Sequence, residues 1–378
     1  MRIVFVVNDI GFLLSHRVEI CIAAIDRGYE VHVVAPYKQK HVLKLAEMSI
    51  SFHSLSLSRV NFNPLQEFKL VFSLIEVFRN IKPDIVHLIT VKPYLYGGIA
   101  ARLAKTPAVV SAVSGLGILF SSKDFKYKLM RLGVYPLYKL AFGHKNQVVI
   151  FQNSSDREIL LEWGVIKKSQ VRMIRGSGVN LSHYPMLNEP INKTPVIAFA
   201  ARLLKDKGVE VFVQASRLLK NRNLDANFWL IGSPDPGNDN SVTQEQLARW
   251  ECEGLVKLFG FRQDVAYLFG KSNIVTLPSF YGEGLPKVLI EAAACGRAVV
   301  TTDHPGCRDA IRPGTGILVP VKDPASLADA IQDLIQHPEK RHNMGRLGRV
   351  MAEKEFSVDK VLATHIEIYQ DLLKERDS

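Results

Sequence analysis

The feature that most limits what this chain can fold into is an alternation of short, β-branched apolar runs with amphipathic stretches of helical period. RIVFVV (2–7) precedes SHRVEICIAAIDRG, in which Gly28 is placed to end a helix, and EVHVVAP (30–36) follows. FHSLSL precedes PLQEFKLVFSLIEVFRN, and DIVHLI (84–89) precedes PYLYGGIAARLAK. AVVSAV (108–113) precedes a long basic helical stretch, and QVVIFQ (147–152) precedes SSDREILLEWG. Strands alternating with helices of about 10–15 residues mean βαβ units and a parallel sheet. At 183–195, HYPMLNEPINKTP interrupts the rhythm with three prolines and no apolar period, and reads as a linker. The pattern restarts with VIAFAAR (196–202), GVEVFVQASRLLKN and NFWLIG (227–232), then LVKLFG, NIVTLP and RAVVTTD. The expectation is an α/β protein of two Rossmann-like, doubly wound domains, 1–185 and 186–356. A final amphipathic helix over 357–378 is expected to cross back to the first domain. Ligands of such sheets bind at the carboxyl ends of the strands, so an active site in a cleft between the two is expected.

Length and composition agree with this. A chain of 378 residues has room for two domains, and 47% apolar with 22% charged residues argues against disorder. Cys21, Cys252, Cys295 and Cys307 form no C-x-x-C pair, which excludes a zinc knuckle, a thioredoxin motif and a disulfide framework and fits a reducing compartment. MRIVFVVNDIG lacks a basic region before its apolar run and reads as a first strand, not a signal peptide. No window holds 18 uninterrupted apolar residues, so no membrane span is expected. The formal charge of +11 is unevenly spread: residues 1–185 hold 24 Lys and Arg against 12 Asp and Glu, while residues 186–378 hold 24 against 25. A basic amino-terminal half points to nucleic acid, anionic lipid head groups or a phosphorylated substrate; a basic surface kept for solubility is the plain alternative.

The familiar nucleotide and hydrolase signatures are absent. NDIGFLLSH has one glycine, and SGLGILF lacks the third small residue of a dinucleotide fingerprint, which argues against an NAD-type oxidoreductase. No Walker A, H-E-x-x-H or G-x-S-x-G sequence occurs. Two segments of the second half stand out instead. Ala201-Arg202-Leu203-Leu204-Lys205-Asp206-Lys207-Gly208 lies where the strand VIAFAA ends and a helix begins. Cations on such a turn, followed by helix amides, form a diphosphate clamp; otherwise they are a solvated basic loop. The second segment, PSFYGEGLPKVLIE (278–291), follows the strand NIVTL. Gly282 and Gly284 let the backbone approach a ligand, and a helix expected to start near Leu285 turns its amides into the same space. Glu283 falls in the loop, and Glu291 about two turns into that helix, roughly 9 Å along its axis, where it can accept from a ribose diol. The alternative is a capping acid and a salt-bridged helix acid.

These two segments, with ACGRAVVTTDHPGCRD and GTGILVP after them, closely resemble the GT-B-fold retaining glycosyltransferases of family 4. HLITVKPYLYGG, SGLGILF and VIFQNSSDRE resemble the bacterial capsule and O-antigen subgroup of that family, so the likeness spans nearly the whole chain. The resemblance implies roles. Arg202 and Lys207 would neutralise the donor diphosphate, and Glu283, with the Gly284 and Leu285 amides, would hold the donor sugar and its phosphates. Glu291 would bind the ribose, Phe261 and Arg262 would frame the base, and Gly11 would approach the diphosphate from the other domain. Ser15, His16 and His87 would line the acceptor side, a structural role for His87 being the alternative. The stretch SAVSGLG lacks the histidine that many relatives carry, so no residue is assigned to proton handling.

The implied reaction moves a sugar, such as an N-acetylhexosamine, from a UDP-sugar co-substrate to a polyprenyl-diphosphate-linked saccharide, with retention, no catalytic metal and no other cofactor. The segment 121–145, SSKDFKYKLMRLGVYPLYKLAFGHK, carries Lys123, Lys126, Lys128, Arg131, Lys139 and Lys145 against Asp124, interleaved with aromatic and aliphatic residues. Such a stretch suits the interface of an anionic bilayer, which would place the enzyme peripherally on the cytoplasmic face of the bacterial inner membrane; the alternative is a core helix with a basic outer face. Two rivals remain. An epimerase or hydrolase of nucleotide sugars needs the same clamp but no acceptor side. A nucleic-acid-binding protein could use the basic half, but no helix-turn-helix, OB or RRM pattern accompanies it.

Overall fold

The computed structural model describes residues 1–55, 64–121, 124–191, 194–280 and 282–374. Lys123 of the basic segment and Tyr281 lie outside them. The chain divides into two compact units, one of residues 1–177 with 359–378, the other of residues 178–358.

The first unit is built on seven strands: β1 (Arg2–Val7), β2 (Glu30–Ala35), β3 (Ser51–Ser54), β4 (Ile85–Ile89), β5 (Ala108–Val113), β6 (Gln147–Phe151) and β7 (Val171–Met173). They pair in parallel in the order β3-β2-β1-β4-β5-β6-β7. The second unit holds six: β8 (Val196–Ala200), β9 (Asn227–Ile231), β10 (Lys257–Gly260), β11 (Ile274–Leu277), β12 (Ala298–Thr302) and β13 (Ile317–Val319), in the order β10-β9-β8-β11-β12-β13. Both sheets are doubly wound, and the order reverses between β1 and β4 in one and between β8 and β11 in the other. Helices cover both faces of such a sheet, so its central strands are buried on both sides and read as continuous apolar runs. All five residues from Ile3 to Val7 are fully buried, for example.

In the first unit, Leu74 and Phe78 of the helix Pro64–Ile81 pack with Tyr94, Tyr138 and Phe142 on one side of the sheet. Ile10, Leu13 and Cys21 pack with Ile366, Tyr369 and Leu372 of the helix Val358–Lys374 on the other. The second unit has one core, in which Phe199 and Leu230 meet Phe212 of the helix Val209–Asn221 and Leu289 of the helix Lys287–Ala294.

Three local features depart from expectation. The segment SHRVEICIAAIDRG is not one helix: Ile10–His16 and Val18–Ile25 are separate, broken at Arg17 with φ −139°. The earlier helix forms because Asp9 caps it, its carboxylate accepting from the Gly11 N–H at 2.8 Å. PYLYGG begins with a π-helical turn, Pro93–Gly97, before the α-helix Gly98–Leu103. β7 and β13 have three residues each, too few to show a period in the sequence. Among the described residues no helix is long and apolar enough to cross a membrane.

Candidate active site

At the reversal point of the second sheet, β8 and β11 are neighbours, paired at Ile197–Ile274 and Ala198–Val275. The crossovers leaving them diverge to opposite faces, so the loops beyond their carboxyl ends border a crevice. Both segments singled out in the sequence lie on these two loops. After β8 come Arg202, a 3₁₀ turn at Lys205–Lys207, and Gly208 leading into the helix Val209–Asn221. After β11 come Pro278, Ser279 and Glu283, then the helix Lys287–Ala294.

The loops are locked together. Gly208 has φ +83°, and a Cβ there would stand 2.2 Å from the Pro278 carbonyl oxygen, so only glycine fits. The Phe280 N–H donates to the Asp206 carbonyl at 2.9 Å. The Lys207 ammonium and the Glu283 carboxylate form an ion pair whose side chains are only 14% and 11% exposed. Ser279 Oγ lies 3.1 Å from the same carboxylate, and Thr302 Oγ1, at the end of β12, donates to the Ser279 carbonyl oxygen. Burial pushes the Asp206 carboxyl above its ordinary value against the pull of Lys207, and the charge of Glu283 adds to the rise. The ammonium at the mouth of a parallel sheet is suited to a phosphate, and the carboxylates beside it to accepting from a ligand's hydroxyls.

The remaining residues are less concentrated. Arg202 Nη1 reaches Asp235 Oδ2 at 2.6 Å, on the loop after β9, and its side chain is about half exposed. The structure shifts the start of the second helix from Leu285 to Lys287, placing Glu291 about one turn in rather than two, some 6 Å along the axis. Leu285 precedes Pro286, and a residue before proline is driven away from helical angles, which explains the later start. Glu291 is buried, with Lys287 Nζ at 3.5 Å. The neighbouring Tyr184 hydroxyl is pushed well up by burial and by that carboxylate. Phe261 is exposed beyond β10, the edge strand, and Arg262 donates to Asp264 at 2.7 and 2.5 Å.

Gly11, Ser15, His16 and His87 belong to the first unit. The Ser15 hydroxyl donates to the Gly11 carbonyl at 2.8 Å and lies 2.7 Å from His16 Nδ1, and His16 stacks on Phe12. His87 is not brought to a surface. It is fully buried in β4, with Nδ1 2.6 Å from the Tyr369 hydroxyl and its ring stacked on His365, and burial lowers its pKa well below the ordinary range.

Sequence reasoning did not single out Ser279, Thr302 or Asp235, although Ser279 lies inside the motif segment. Nor did it find Thr90, which follows β4 at the first sheet's reversal point. Thr90 has φ +76°, which is strained for a β-branched residue. Close by in sequence, Lys92 Nζ meets Glu67 at 2.5 Å in a mostly buried pair.

Comparison with known proteins gives the family of the chain. Residues 2–153 match the family described as "Glycosyl transferase 4-like" and residues 188–351 match "Glycosyl transferases group 1". The N,N'-diacetylbacillosaminyl-diphospho-undecaprenol alpha-1,3-N-acetylgalactosaminyltransferase of Campylobacter jejuni is 32% identical over 359 residues, covering 92% of each chain. The capsular polysaccharide biosynthesis glycosyltransferase CapM of Staphylococcus aureus is 25% identical over 363 residues, 93% of this chain and 92% of CapM. Among solved structures, Anabaena HepE in complex with UDP and glucose superposes with a TM-score of 0.78 at 20% identity, covering 97% of this chain and 98% of HepE. At that identity the likeness establishes the fold, which is GT-B. The chain therefore belongs to the family-4-like, group 1 glycosyltransferases and is itself a glycosyltransferase.

Proposed function

We propose that the enzyme moves a sugar, an N-acetylhexosamine or a relative of one, from a UDP-sugar to a saccharide carried on a polyprenyl diphosphate, with retention of configuration, in bacterial surface glycan assembly. The observation that carries this reading is the Lys207–Glu283 pair at the strand-order reversal of the second sheet, with Arg202 on the same loop as Lys207. The undecaprenol-diphosphate acceptor in the name of the Campylobacter relative and the UDP bound to HepE support the two substrate classes.

The chemistry follows from charge. Cleavage of the anomeric C–O bond leaves its electron pair on the diphosphate oxygen and positive character on the ring. Lys207 and Arg202 stabilise the departing diphosphate, so the protein's own cations do the work a metal would do elsewhere. Glu283, with the Gly284 and Leu285 amides, holds the donor sugar, and Glu291 accepts from the ribose. The acceptor hydroxyl attacks the face the leaving group vacates and passes its proton to the departing phosphate oxygen.

A lipid-linked acceptor is met at a bilayer, and the reading puts the reaction on its cytoplasmic side, where nucleotide-sugar donors are made. The helix Phe125–Ala141 exposes Phe125, Leu129, Met130 and Leu132 between Lys126, Lys128 and Arg131. Beside it is a groove of about 390 Å³ with Phe120, Leu132, Ile159 and Trp163 as apolar walls, the cations Lys128 and Arg131, and one acid, Glu162. An apolar, cation-bearing face of this kind suits an anionic lipid interface.

A thermal-shift panel of nucleotides and nucleotide sugars tests the donor, because a ligand that binds only the native state raises the midpoint. UDP and one UDP-sugar are expected to stabilise the protein selectively. Transfer at the parent's rate by R202A/K207A would overturn the clamp, and turnover of the donor without any acceptor would favour an epimerase or hydrolase.

A further inference from the structure

Ser279 is fully buried two residues beyond β11, and its hydroxyl stands between two acceptors. Oγ is 3.1 Å from Glu283 Oε1 and 3.2 Å from the Asp206 carbonyl oxygen. Its one proton is drawn more strongly to one of them. The Asp206 carbonyl already takes the Phe280 N–H at 2.9 Å, whereas Glu283 is a carboxylate, and a bond to a charged acceptor is about twice as strong as one between neutral groups. The serine is itself fixed: its carbonyl oxygen accepts from Thr302 Oγ1, a side chain with no exposed surface. The loops after β8 and β11 thus meet at this hydroxyl, and the end of β12 holds the serine's main chain.

The Lys207 ammonium bonds the same oxygen of Glu283 that Ser279 faces. A diphosphate entering the site competes with Glu283 for that ammonium, and a mostly buried carboxylate losing its cation needs another donor to keep its place. We propose that Ser279 is a positioning residue that holds the Glu283 carboxylate in register by donating to Oε1 while Lys207 turns to the diphosphate. This deepens the proposed function and rests on it, since Glu283 matters to catalysis only if it faces the donor sugar. Ser279 acts through Glu283 and touches no substrate.

The test compares S279A with the parent in the full-length enzyme. Loss of one bond to a charged group predicts a fall in kcat/KM of about ten- to a hundredfold. UDP-induced stabilisation should stay close to the parent's, because the cations that hold the diphosphate are untouched. The loss should fall on kcat rather than on KM for the donor, because the contacts that hold the diphosphate are untouched. S279C, which keeps the side chain in place but donates weakly, should lower kcat in the same way and guards against a folding failure of the alanine variant. A parental kcat in either folded variant would overturn the assignment. So would a loss of UDP stabilisation as large as the loss of activity, which would mean that Ser279 merely holds the loop. The parent's own response to UDP reports on the donor site separately, whereas the ratio of variant to parent, with whatever nucleotide sugar the parent uses, reports on Ser279.

Discussion

A methyl group at position 208 would stand 2.2 Å from the Pro278 carbonyl oxygen, on a backbone with φ +83°. Gly208→Ala must therefore strain its own backbone and force apart the loops that carry Lys207 and Glu283. The expected cost is about 1–3 kcal/mol of stability, with loss of most of the UDP-induced rise in melting midpoint, read by thermal shift with and without UDP. Gly237 provides the control: it also has φ +83°, but a Cβ there meets nothing within 4 Å. Gly237→Ala should cost only about 1 kcal/mol and leave the UDP response intact. If the two variants responded alike, the close contact of the loops would be irrelevant to the site. Position 208 also shows what the sequence could and could not convey. A cation-rich strand-to-helix turn and a glycine-flanked glutamate are local patterns, so both segments were legible. Their contact depends on β8 and β11 being sheet neighbours, which no local pattern encodes. Ser279 and Thr302 stayed hidden for the same reason, each bonding to a group on another part of the chain.

Among the elements, the helix Val358–Lys374 is legible in the sequence because its apolar face repeats at helical spacing; residues 375–378 of the expected helix lie outside the described residues. The polar groups beneath it were not legible. His365 stacks on His87, the Tyr369 hydroxyl bonds His87 Nδ1 at 2.6 Å, and the Arg17 guanidinium is buried close by, its pKa lowered to about 10, chiefly by burial. Burial, aided by the Arg17 charge, holds His365 neutral down to about 3, and His87 is likewise kept well below the ordinary range. The unfolded chain takes up a proton at each site near pH 6.5, and the folded one does not. Stability from these two groups is therefore full above that pH and falls as the solution is acidified, each adding a slope of up to about 1.4 kcal/mol per pH unit. Urea unfolding at pH 7 and pH 5 should show the loss, and His365→Gln should flatten it. An unchanged slope in that variant would mean that other groups set the acid limit. Tyr369→Phe should cost about 1–3 kcal/mol at neutral pH, by leaving the buried His87 Nδ1 without its partner.

Over the whole molecule, the doubled βα rhythm disclosed two parallel-sheet units, while the Pro-rich stretch at 183–195 disclosed less. Arg349 donates to the Tyr184 carbonyl at 2.9 Å, Arg297 to that of Leu187 at 2.6 Å, and Arg341 pairs with Glu189 at 2.6 Å. These arginines lie more than a hundred residues away, so a segment without period reads as a linker between domains, although its described residues, 183–191 with 194 and 195, fall inside the second unit, which begins at Gly178 and not at 186. Net charge, by contrast, is a property of the whole that the sequence reports directly. The excess of 24 cations over 12 carboxylates in residues 1–185 includes Lys126, Lys128 and Lys139 on the helix Phe125–Ala141. Attraction to an anionic surface is worth about 1 kcal/mol per lysine near the bilayer, so reversing three of them should lower partitioning by at least about a hundredfold. Sedimentation with phosphatidylglycerol-containing vesicles should show that loss for K126E/K128E/K139E. Binding of the parent should weaken between 0.05 and 0.5 M salt, as screening shortens from more than about 10 Å to a few ångströms. The UDP-induced rise in midpoint should persist in the triple variant, because Lys207 and Glu283 lie in the other unit. If the variant bound vesicles as the parent does, the basic excess would serve solubility alone, and the acceptor's lipid would have to be met by another face.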